Sequence, residues 1–179
     1  VLVSGTQSRL AIGPDSDLNS TLTLSGANSS FAAGGSTQVH GNVTISAAGV
    51  QFEAGAGWDF DGTINIDSNG DQCEMTLGAN GDLNGTFTCT GQESVIDIGE
   101  KSTLTGAVLL DASRVTLTSD ARPTLSSTLG MTTGTDQVVR FGPLATVVGA
   151  VTMSSNNSSL YLGSTSDMGG IVTLSGNGC

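Results

Sequence analysis

Apolar and polar residues alternate along the chain, and the alternation recurs in a unit of the form apolar-x-apolar-Gly. The unit occurs eight times, at Leu10–Gly13, Phe31–Gly34, Phe52–Gly55, Met75–Gly78, Ile96–Gly99, Leu117–Asp120, Val139–Gly142 and Leu160–Gly163. Successive units are spaced 21, 21, 23, 21, 21, 22 and 21 residues apart. A nearly fixed period of this length predicts a stack of equivalent coils.

A second alternating segment begins five residues after each unit. Its apolar positions form three columns, which begin with Leu18, Leu22 and Leu24 and recur in all eight repeats. A column of Gly or Ser, beginning with Ser20 and Gly41, lies between the first two apolar columns. We expect the coil to bend or narrow at this Gly/Ser column. Alternation with a period of two indicates strands with one buried face, and no segment has the 3.6-residue period of a helix.

These patterns predict an all-β fold, a single parallel β-solenoid domain spanning residues 1–179, with eight coils of about 21 residues and incomplete coils at both ends. At about 4.8 Å per coil, the rod would be about 40 Å long. The glycine of each unit predicts either a positive φ or a tight corner that a Cβ would obstruct. In one unit Asp120 takes the place of the glycine, and aspartate tolerates the left-handed region better than most residues.

Composition narrows the range of functions. The net charge is −11, with one lysine and four arginines, so the chain offers no basic patch for a phosphate backbone and we expect no nucleic-acid partner. No apolar stretch approaches the roughly 18 residues of a membrane span, so we expect no membrane insertion. The chain contains 26 glycines and only 4% aromatic residues, which favours a narrow core of small aliphatic side chains.

Segments such as 102–110 and 160–174 resemble the repeats of bacterial autotransporter passengers and related β-helix adhesins. The resemblance covers residues 1–179 and is one of repeat style. It implies a right-handed parallel β-helix that is secreted and attached to the cell surface. We therefore predict an extracellular structural or adhesive protein without catalytic activity.

Acidic residues recur at the outward position before the second segment, at Asp17, Asp59, Asp82 and Asp167, with Asp61 close by. Asp59 and Asp82 fall on adjacent coils, so their carboxylates would approach within about 5 Å and raise each other's pKa. Polysaccharide-cleaving β-helices place acid pairs on such ledges, which makes polysaccharide binding or cleavage an alternative function. The other interpretation is that these residues keep the strand edges soluble and unpaired, and it leaves the chain with no catalytic residue.

Two further side chains are predicted to point outward. Trp58 lies beside the acidic column, where its indole could stack on a sugar of a surface glycan or fold over the corner. His40 is the only histidine and has no Cys or His neighbour at the spacing of metal ligands.

The coil that is lengthened to 23 residues contains the only candidate metal ligands, Asp67, Asn69 and Asp71. Oxygen-rich turns of this kind can hold calcium, the one cofactor that the sequence suggests. Gly70 does not fall where an EF-hand loop requires its glycine, so an ordinary Asx turn is the other interpretation.

The three cysteines allow one intrachain disulfide. Cys73 and Cys89 fall near the same corner on neighbouring levels, where their Cα atoms could lie within the roughly 4.4–6.8 Å that a disulfide requires. We therefore predict a Cys73–Cys89 disulfide, with two buried free thiols as the alternative.

Six Asn-x-Ser/Thr sequons, all predicted on turns or outward faces, are candidates for glycosylation. They are Asn19, Asn28, Asn42, Asn84, Asn156 and Asn157.

Ice binding is a further alternative function, because one outward column is rich in threonine and ice-binding surfaces use flat threonine arrays. The column contains Thr23, Thr44, Thr88, Thr152 and Thr173. It is interrupted by Asn65, Leu109 and Gly130, and threonine is also simply a good exposed strand residue.

The two ends of the chain predict self-association. Val1 and Val3 are in phase with the inward column 21 residues later, and Cys179 falls one period after Ser158. Neither end has a polar cap, so both would expose apolar columns and unpaired strand edges, and we place Val1, Val3 and Cys179 at an intersubunit contact. Head-to-tail contact would build a filament, with about 13 residues, positions 180 to 192, lacking at each junction. The alternative partner is the flanking coils of a longer chain.

Overall fold

Short alternating segments form 25 strands and no helix in a computed structural model that describes residues 1–179. The first nine strands are β1 Leu2–Val3, β2 Arg9–Ile12, β3 Asp17–Leu18, β4 Leu22–Leu24, β5 Ser30–Ala33, β6 Gln38–Val39, β7 Val43–Ile45, β8 Gln51–Ala54 and β9 Asp59–Phe60. The next eight are β10 Ile64–Ile66, β11 Glu74–Leu77, β12 Asp82–Leu83, β13 Phe87–Cys89, β14 Val95–Ile98, β15 Thr103–Leu104, β16 Val108–Leu110 and β17 Thr116–Ser119. The last eight are β18 Thr124–Leu125, β19 Leu129–Met131, β20 Val138–Phe141, β21 Thr146–Val147, β22 Val151–Met153, β23 Ser159–Leu162, β24 Asp167–Met168 and β25 Val172–Leu174. The structure contains no helix capable of spanning a membrane.

The strands assemble into three parallel sheets that run along the stack. Sheet A holds every third strand from β1 to β25, nine in all, while sheet B (β2 to β23) and sheet C (β3 to β24) hold eight each. Each coil contributes one strand to B, then C, then A, and each strand pairs with its equivalent one period later, as Leu10 pairs with Phe31. The predicted parallel β-solenoid of eight coils is confirmed, with β1 preceding the first full coil.

The second alternating segment of each coil forms two strands instead of one, because the chain bends at the Gly/Ser column. A Cβ added to Gly106 would lie 1.8 Å from the carbonyl oxygen of Gly85 in the preceding coil. The backbones of successive coils therefore approach each other closely at this corner. The column marks the boundary between sheets C and A and gives the coil its third side.

The glycines of the apolar-x-apolar-Gly units have no positive φ, so only the second of their two predicted roles, the tight corner, is found. A Cβ on Gly78 would lie 2.6 Å from backbone atoms of both Gly55 and Ala56 in the preceding coil. Stacked backbones therefore approach too closely for a Cβ at these glycines, except at Gly13 in the first coil, where a Cβ would meet nothing.

Positive φ angles occur at two other corners of each coil, mostly in residues other than glycine. One corner holds Gln7, Asn28, Gly49, Gln72, Glu93, Arg114, Asp136, Asn157 and Gly178, and the other holds Asp15, Ser36, Gly57, Asn80, Lys101, Arg122, Leu144 and Thr165. Coils are linked at these corners through the backbone, as when Asn28 donates its N–H to the carbonyl of Ala48 at 3.0 Å. The left-handed residues thus connect each coil to the next.

Inward side chains stack in columns and form one cluster of 38 buried apolar residues. Equivalent rings on neighbouring coils pack directly, and the Phe31 and Phe52 ring centroids lie 5.0 Å apart. Because each coil is covered only by its two neighbours, the first and last coils each lack one covering neighbour.

Candidate functional sites: the end faces and the acidic cluster

The C-terminal end face of the stack is apolar and uncovered. The edges of β23, β24 and β25 have no further strand beside them. Val172 and Leu174 are 41% and 56% exposed, whereas their equivalents in the preceding coil, Val151 and Met153, are 0% and 2% exposed. The apolar side chains of the inward columns are therefore uncovered at this end of the rod.

A groove of about 290 Å³ lies on this face. Leu160, Val172 and Leu174 line it together with Cys179, whose thiol donates to the carbonyl of Ser155 at 3.0 Å. In the interior of the stack the equivalent side chains, such as Val139 and Val151, are covered by the next coil.

The N-terminal end face carries the unpaired edges of β1, β2 and β3. Val3 is buried in the end coil, but Val1 and Leu2 are exposed, and Leu10 and Ile12 are only partly buried. The predicted intersubunit residues Val1, Val3 and Cys179 thus lie at the ends of the rod. The contact itself remains a prediction.

Polar side chains of four adjacent coils meet on the outer face of sheet C, and we call them the acidic cluster: Asp17, His40, Asp59, Asp61, Asp82 and Asn84. His40 Nδ1 lies 2.7 Å from Asp61 Oδ2, and its Nε2 lies 3.6 Å from Asp17 Oδ1. Asn84 Nδ2 donates to Asp59 Oδ1 and to Asp61 Oδ1, each at 3.1 Å. The ladder places Asp82 beside Asp59, as predicted.

The contact between His40 and Asp61 was not predicted from the sequence, although the signal was present. The two residues are one 21-residue period apart, and equivalent residues of adjacent coils are neighbours in a solenoid. Asp167, in contrast, pairs with Thr146 near the other end of sheet C and lies outside the cluster.

Electrostatic shifts within the acidic cluster follow from these contacts. The hydrogen bond with Asp61, and then the charge of Asp17, raise the pKa of His40. Burial, and then the charges of Asp61 and Asp82, raise the pKa of Asp59, while hydrogen bonds from His40 and Asn84 lower the pKa of Asp61. The cluster lies on an open face, and none of the three grooves on the surface is lined by it.

The prediction that Trp58 points outward is wrong. Its side chain is 1% exposed, its Nε1–H donates to the carbonyl of Gly78 at 2.6 Å, and its ring centroid lies 5.3 Å from that of Phe60. Trp58 and Phe60 are two residues apart on one alternating segment, so both point inward. The indole is therefore not available to stack on a glycan.

The candidate metal ligands are engaged with the backbone. Asp67 Oδ1 accepts the N–H of Asn69 at 2.8 Å, which forms the Asx turn, and Asp71 Oδ1 accepts the N–H of Gln92 in the next coil at 2.7 Å. The structure brings no three His, Cys, Asp or Glu side chains together in a form that could hold a metal ion. Calcium at Asp67, Asn69 and Asp71 stays an untested prediction.

The predicted Cys73–Cys89 disulfide is not formed, and all three cysteines are free thiols. Cys73 donates to the carbonyl of Ala47 at 3.3 Å, and Cys89 donates to that of Gly91 at 3.4 Å. Each thiol thus hydrogen-bonds to a backbone carbonyl instead of contacting the other sulfur. Burial raises the pKa of Cys89 to about 11 and also raises the pKa of Cys73, so both are protonated at neutral pH.

The asparagines of all six sequons are exposed. Asn84 is held by the two aspartates of the acidic cluster, and Asn42 Oδ1 accepts the N–H of Thr63 at 3.0 Å. Glycosylation stays a prediction at these positions.

The threonine column lies on sheet A with the register that the repeat predicted. Thr23 pairs with Thr44, which is followed along the ladder by Asn65, Thr88 and Leu109. The interruptions therefore fall within the array itself and divide it into short stretches.

Fold and surfaces together define the chain as a parallel β-solenoid with mostly polar sides and apolar ends. Comparison with protein-family models, with curated proteins and with solved structures gives no match. The function has to be inferred from the surfaces of the rod.

Proposed function

We propose that the protein is a structural subunit, a rigid β-solenoid rod that is joined end to end in an extracellular filament or a cell-surface adhesin stalk, and that it is not an enzyme. The contrast between its apolar, unpaired end faces and its mostly polar sides carries this proposal. An unpaired strand edge is a template for a further strand, and the exposed Val172 and Leu174 would be buried by one. The two ends differ, so the contact propagates instead of closing.

The charge of the rod disfavours association through its sides. Residues 1–100 contain twelve carboxylates and one arginine, whereas residues 101–179 contain four acidic and four basic side chains. The net charge of −11 therefore lies in the first 100 residues, where like charges repel neighbouring copies. Together with the apolar end faces, this repulsion along the first part of the rod favours the ends as the surfaces for assembly, with a second copy or flanking coils of a longer chain as the partner.

The alternatives have less support from the geometry. The threonine column is broken at Asn65, Leu109 and Gly130, which disfavours ice binding. The acidic cluster lies on an open face, and Trp58 is buried, which disfavours polysaccharide binding or cleavage. Extracellular localisation is supported by the exposed sequons and the autotransporter-like repeat style.

Analytical ultracentrifugation over a wide concentration range tests the proposal with two variants of one strand. Leu174→Lys places a charge on the end face, whereas Thr173→Lys places the same charge on the outer side of β25. We expect the unsubstituted chain and Thr173→Lys to form particles that lengthen with concentration. Leu174→Lys should fold but remain monomeric, because lysine cannot be buried at the junction without a partner.

Two results would contradict the proposal. One is an unsubstituted chain that stays monomeric at every concentration, which would contradict the joining of copies into a filament. The other is a Leu174→Lys variant that associates as the unsubstituted chain does while Thr173→Lys does not.

A further inference from the structure

A groove of about 290 Å³ lies in the middle of the rod, on the outer side of sheet B near its corner with sheet C. Strands β11, β14 and β17 of three adjacent coils form it together with the residues that follow them. Its volume is close to the roughly 300 Å³ at which small-ligand sites begin. The groove lies away from both end faces and is not lined by the acidic cluster, so it is a separate candidate for binding a partner.

The glycine column of the apolar-x-apolar-Gly units runs through this groove. Gly78 and Gly99 line it on two adjacent coils, and neither carries a side chain that could occupy the space outside the backbone. Asp120 lines the groove at the equivalent position of the next coil, where the other seven units have glycine. The single acidic exception in the column therefore lies within the groove.

A second carboxylate faces the same groove from sheet B. Asp97 lies in an outward column between Thr76 and Thr118, with which it pairs along the ladder, and its Oδ1 accepts the hydroxyl of Thr118. Asp120 is one coil and two residues further on, so the Cα atoms of the two aspartates are about 8 Å apart. The ion pairs of the chain involve other carboxylates, so both charges are free to meet an external cation.

The remainder of the groove is lined in part by apolar residues. Leu77, Ala79 and Ile98 lie beside the two glycines. Lysine and arginine side chains have the matching composition, because their aliphatic stems pack along apolar surface while their charged heads bind polar groups. No aromatic residue lines the groove and could stack on a sugar.

We propose that this groove binds the cationic side chain, arginine or lysine, of a partner protein. The aliphatic stem lies along Ala79 and the glycines, and the charged head donates hydrogen bonds to Asp97 and Asp120. The net charge of −11 attracts a basic partner over a longer distance. This inference goes beyond the proposed end-to-end assembly and does not depend on it.

A titration followed by nuclear magnetic resonance tests the proposal with two peptides. One is acetyl-Gly-Arg-Gly-amide, and the other has citrulline, which has the shape of arginine without its charge. In a dilute, monomeric sample at low salt, we expect the arginine peptide to shift the amide signals of residues 76–79, 97–99 and 118–120. The citrulline peptide should leave them unchanged, and added salt should weaken binding of the arginine peptide because it screens exposed charges.

A pair of variants locates the binding site. Asp120→Asn removes one carboxylate of the groove with little change of shape, and Asp82→Asn removes one from the acidic cluster as the control. We expect Asp120→Asn to raise the Kd of the arginine peptide about fivefold, while Asp82→Asn leaves it nearly unchanged. Asp120 is exposed and forms no ion pair, so the variant should fold.

Three results would overturn the proposal, and none of them bears on the end-to-end assembly. Equal shifts with the citrulline peptide would show that the charge of the side chain is not recognised. An equal loss of affinity in Asp82→Asn and Asp120→Asn would assign binding to the overall charge of the rod. Calcium chloride that shifts the signals of the groove at a lower concentration than the arginine peptide would indicate a metal site instead.

Discussion

The coils around Trp58 and the coils around Gln137 fill the same narrow interior in different ways. Around Trp58 the inward positions hold aromatic rings, and the centroids of Phe31, Phe52, Phe60 and Trp58 follow one another at 5.0 to 5.8 Å. This part of the core is stabilised by the removal of large apolar surfaces from water.

Around Gln137 the interior is a polar network instead. The side chain is fully buried, its Oε1 accepts the hydroxyl of Ser155 at 2.8 Å, and Ser155 and Ser158 are 2.7 Å apart through their hydroxyl oxygens. Gln137 Nε2 donates to backbone carbonyls that include those of Leu110 and Thr133, at 2.6 and 2.7 Å. Such a network stabilises the fold only when its buried polar groups are satisfied.

A glycine accommodates the unusual side chain in each region. Gly81 stacks on Trp58, and a Cβ at that position would lie 2.0 Å from the indole. Gly134, with φ of +83°, is the extra residue of the 22-residue coil, and it follows the Thr133 carbonyl that Gln137 binds. The repeat therefore accepts a large or polar inward residue where an adjacent position loses its side chain or the coil gains a residue.

Removal of the indole should produce the largest effect on stability. We expect Trp58→Ala to lower the free energy of unfolding by about 3–5 kcal/mol, since it leaves a cavity and an unpaired carbonyl at Gly78. Chemical denaturation measures this. Gly81→Ala should also destabilise the fold, because its Cβ would clash with the indole of Trp58. A loss below about 1 kcal/mol for Trp58→Ala would show that the aromatic packing is unimportant.

Disruption of the polar network should cost somewhat less. We expect Gln137→Val to lower the free energy of unfolding by about 2–4 kcal/mol, because buried carbonyls lose their donor. Valine occupies the equivalent place at Val50 and Val115 in coils of normal length. Deletion of Gly134 should therefore partly rescue Gln137→Val, and purely additive losses in the double variant would contradict the pairing of Gln137 with the longer coil.

The sequence predicted the stack, the inward columns and the ladder register, because a fixed period constrains every coil at once. It did not predict the inward direction of Trp58, although the parity of Phe60 carried that information. A bend or narrowing was expected at the Gly/Ser column, but the division of the segment into strands of sheets C and A was not. That division depends on the close approach of stacked backbones, as at Gly106 and Gly85, which alternation alone does not report. Gln137 was missed because its partners are mostly carbonyls, which leave no side-chain pattern.

A left-handed corner offers a stabilising substitution. Leu144 has a φ of 61° and is 45% exposed. Its backbone is therefore strained by the left-handed conformation, while burial of its side chain does little to offset that strain. We expect Leu144→Gly to raise the free energy of unfolding by up to about 1 kcal/mol. Val148→Gly, at an exposed apolar residue without positive φ, is the control and should destabilise; equal effects of the two variants in thermal denaturation would contradict the explanation.

The acidic cluster should give the smallest effect, a pH dependence. Asp61 and Asp17 raise the pKa of His40 in the folded state. The contribution of His40 to the stability of the fold is therefore complete below its unfolded pKa of about 6.5, and it is lost as the pH rises through the folded pKa. Thermal melting should therefore show a small loss of stability as the pH rises above about 6.5 that His40→Asn lacks. The same loss in His40→Asn would assign it to other groups.

Hydrogen exchange at the C-terminal strand tests most directly the claim that the end faces are the functional surfaces of the rod. Val151 donates its N–H to the carbonyl of Ile171 in the next coil at 2.8 Å, whereas β25 has no further strand beside it. Mass spectrometry of dilute and concentrated samples should show the amides of Val172 and Leu174, which point away from the preceding coil, exchanging faster than those of Val151 and Met153 when dilute and becoming protected on assembly. The amides of the middle coils should be unchanged, and protection that appears there while Val172 and Leu174 still exchange rapidly would contradict the account.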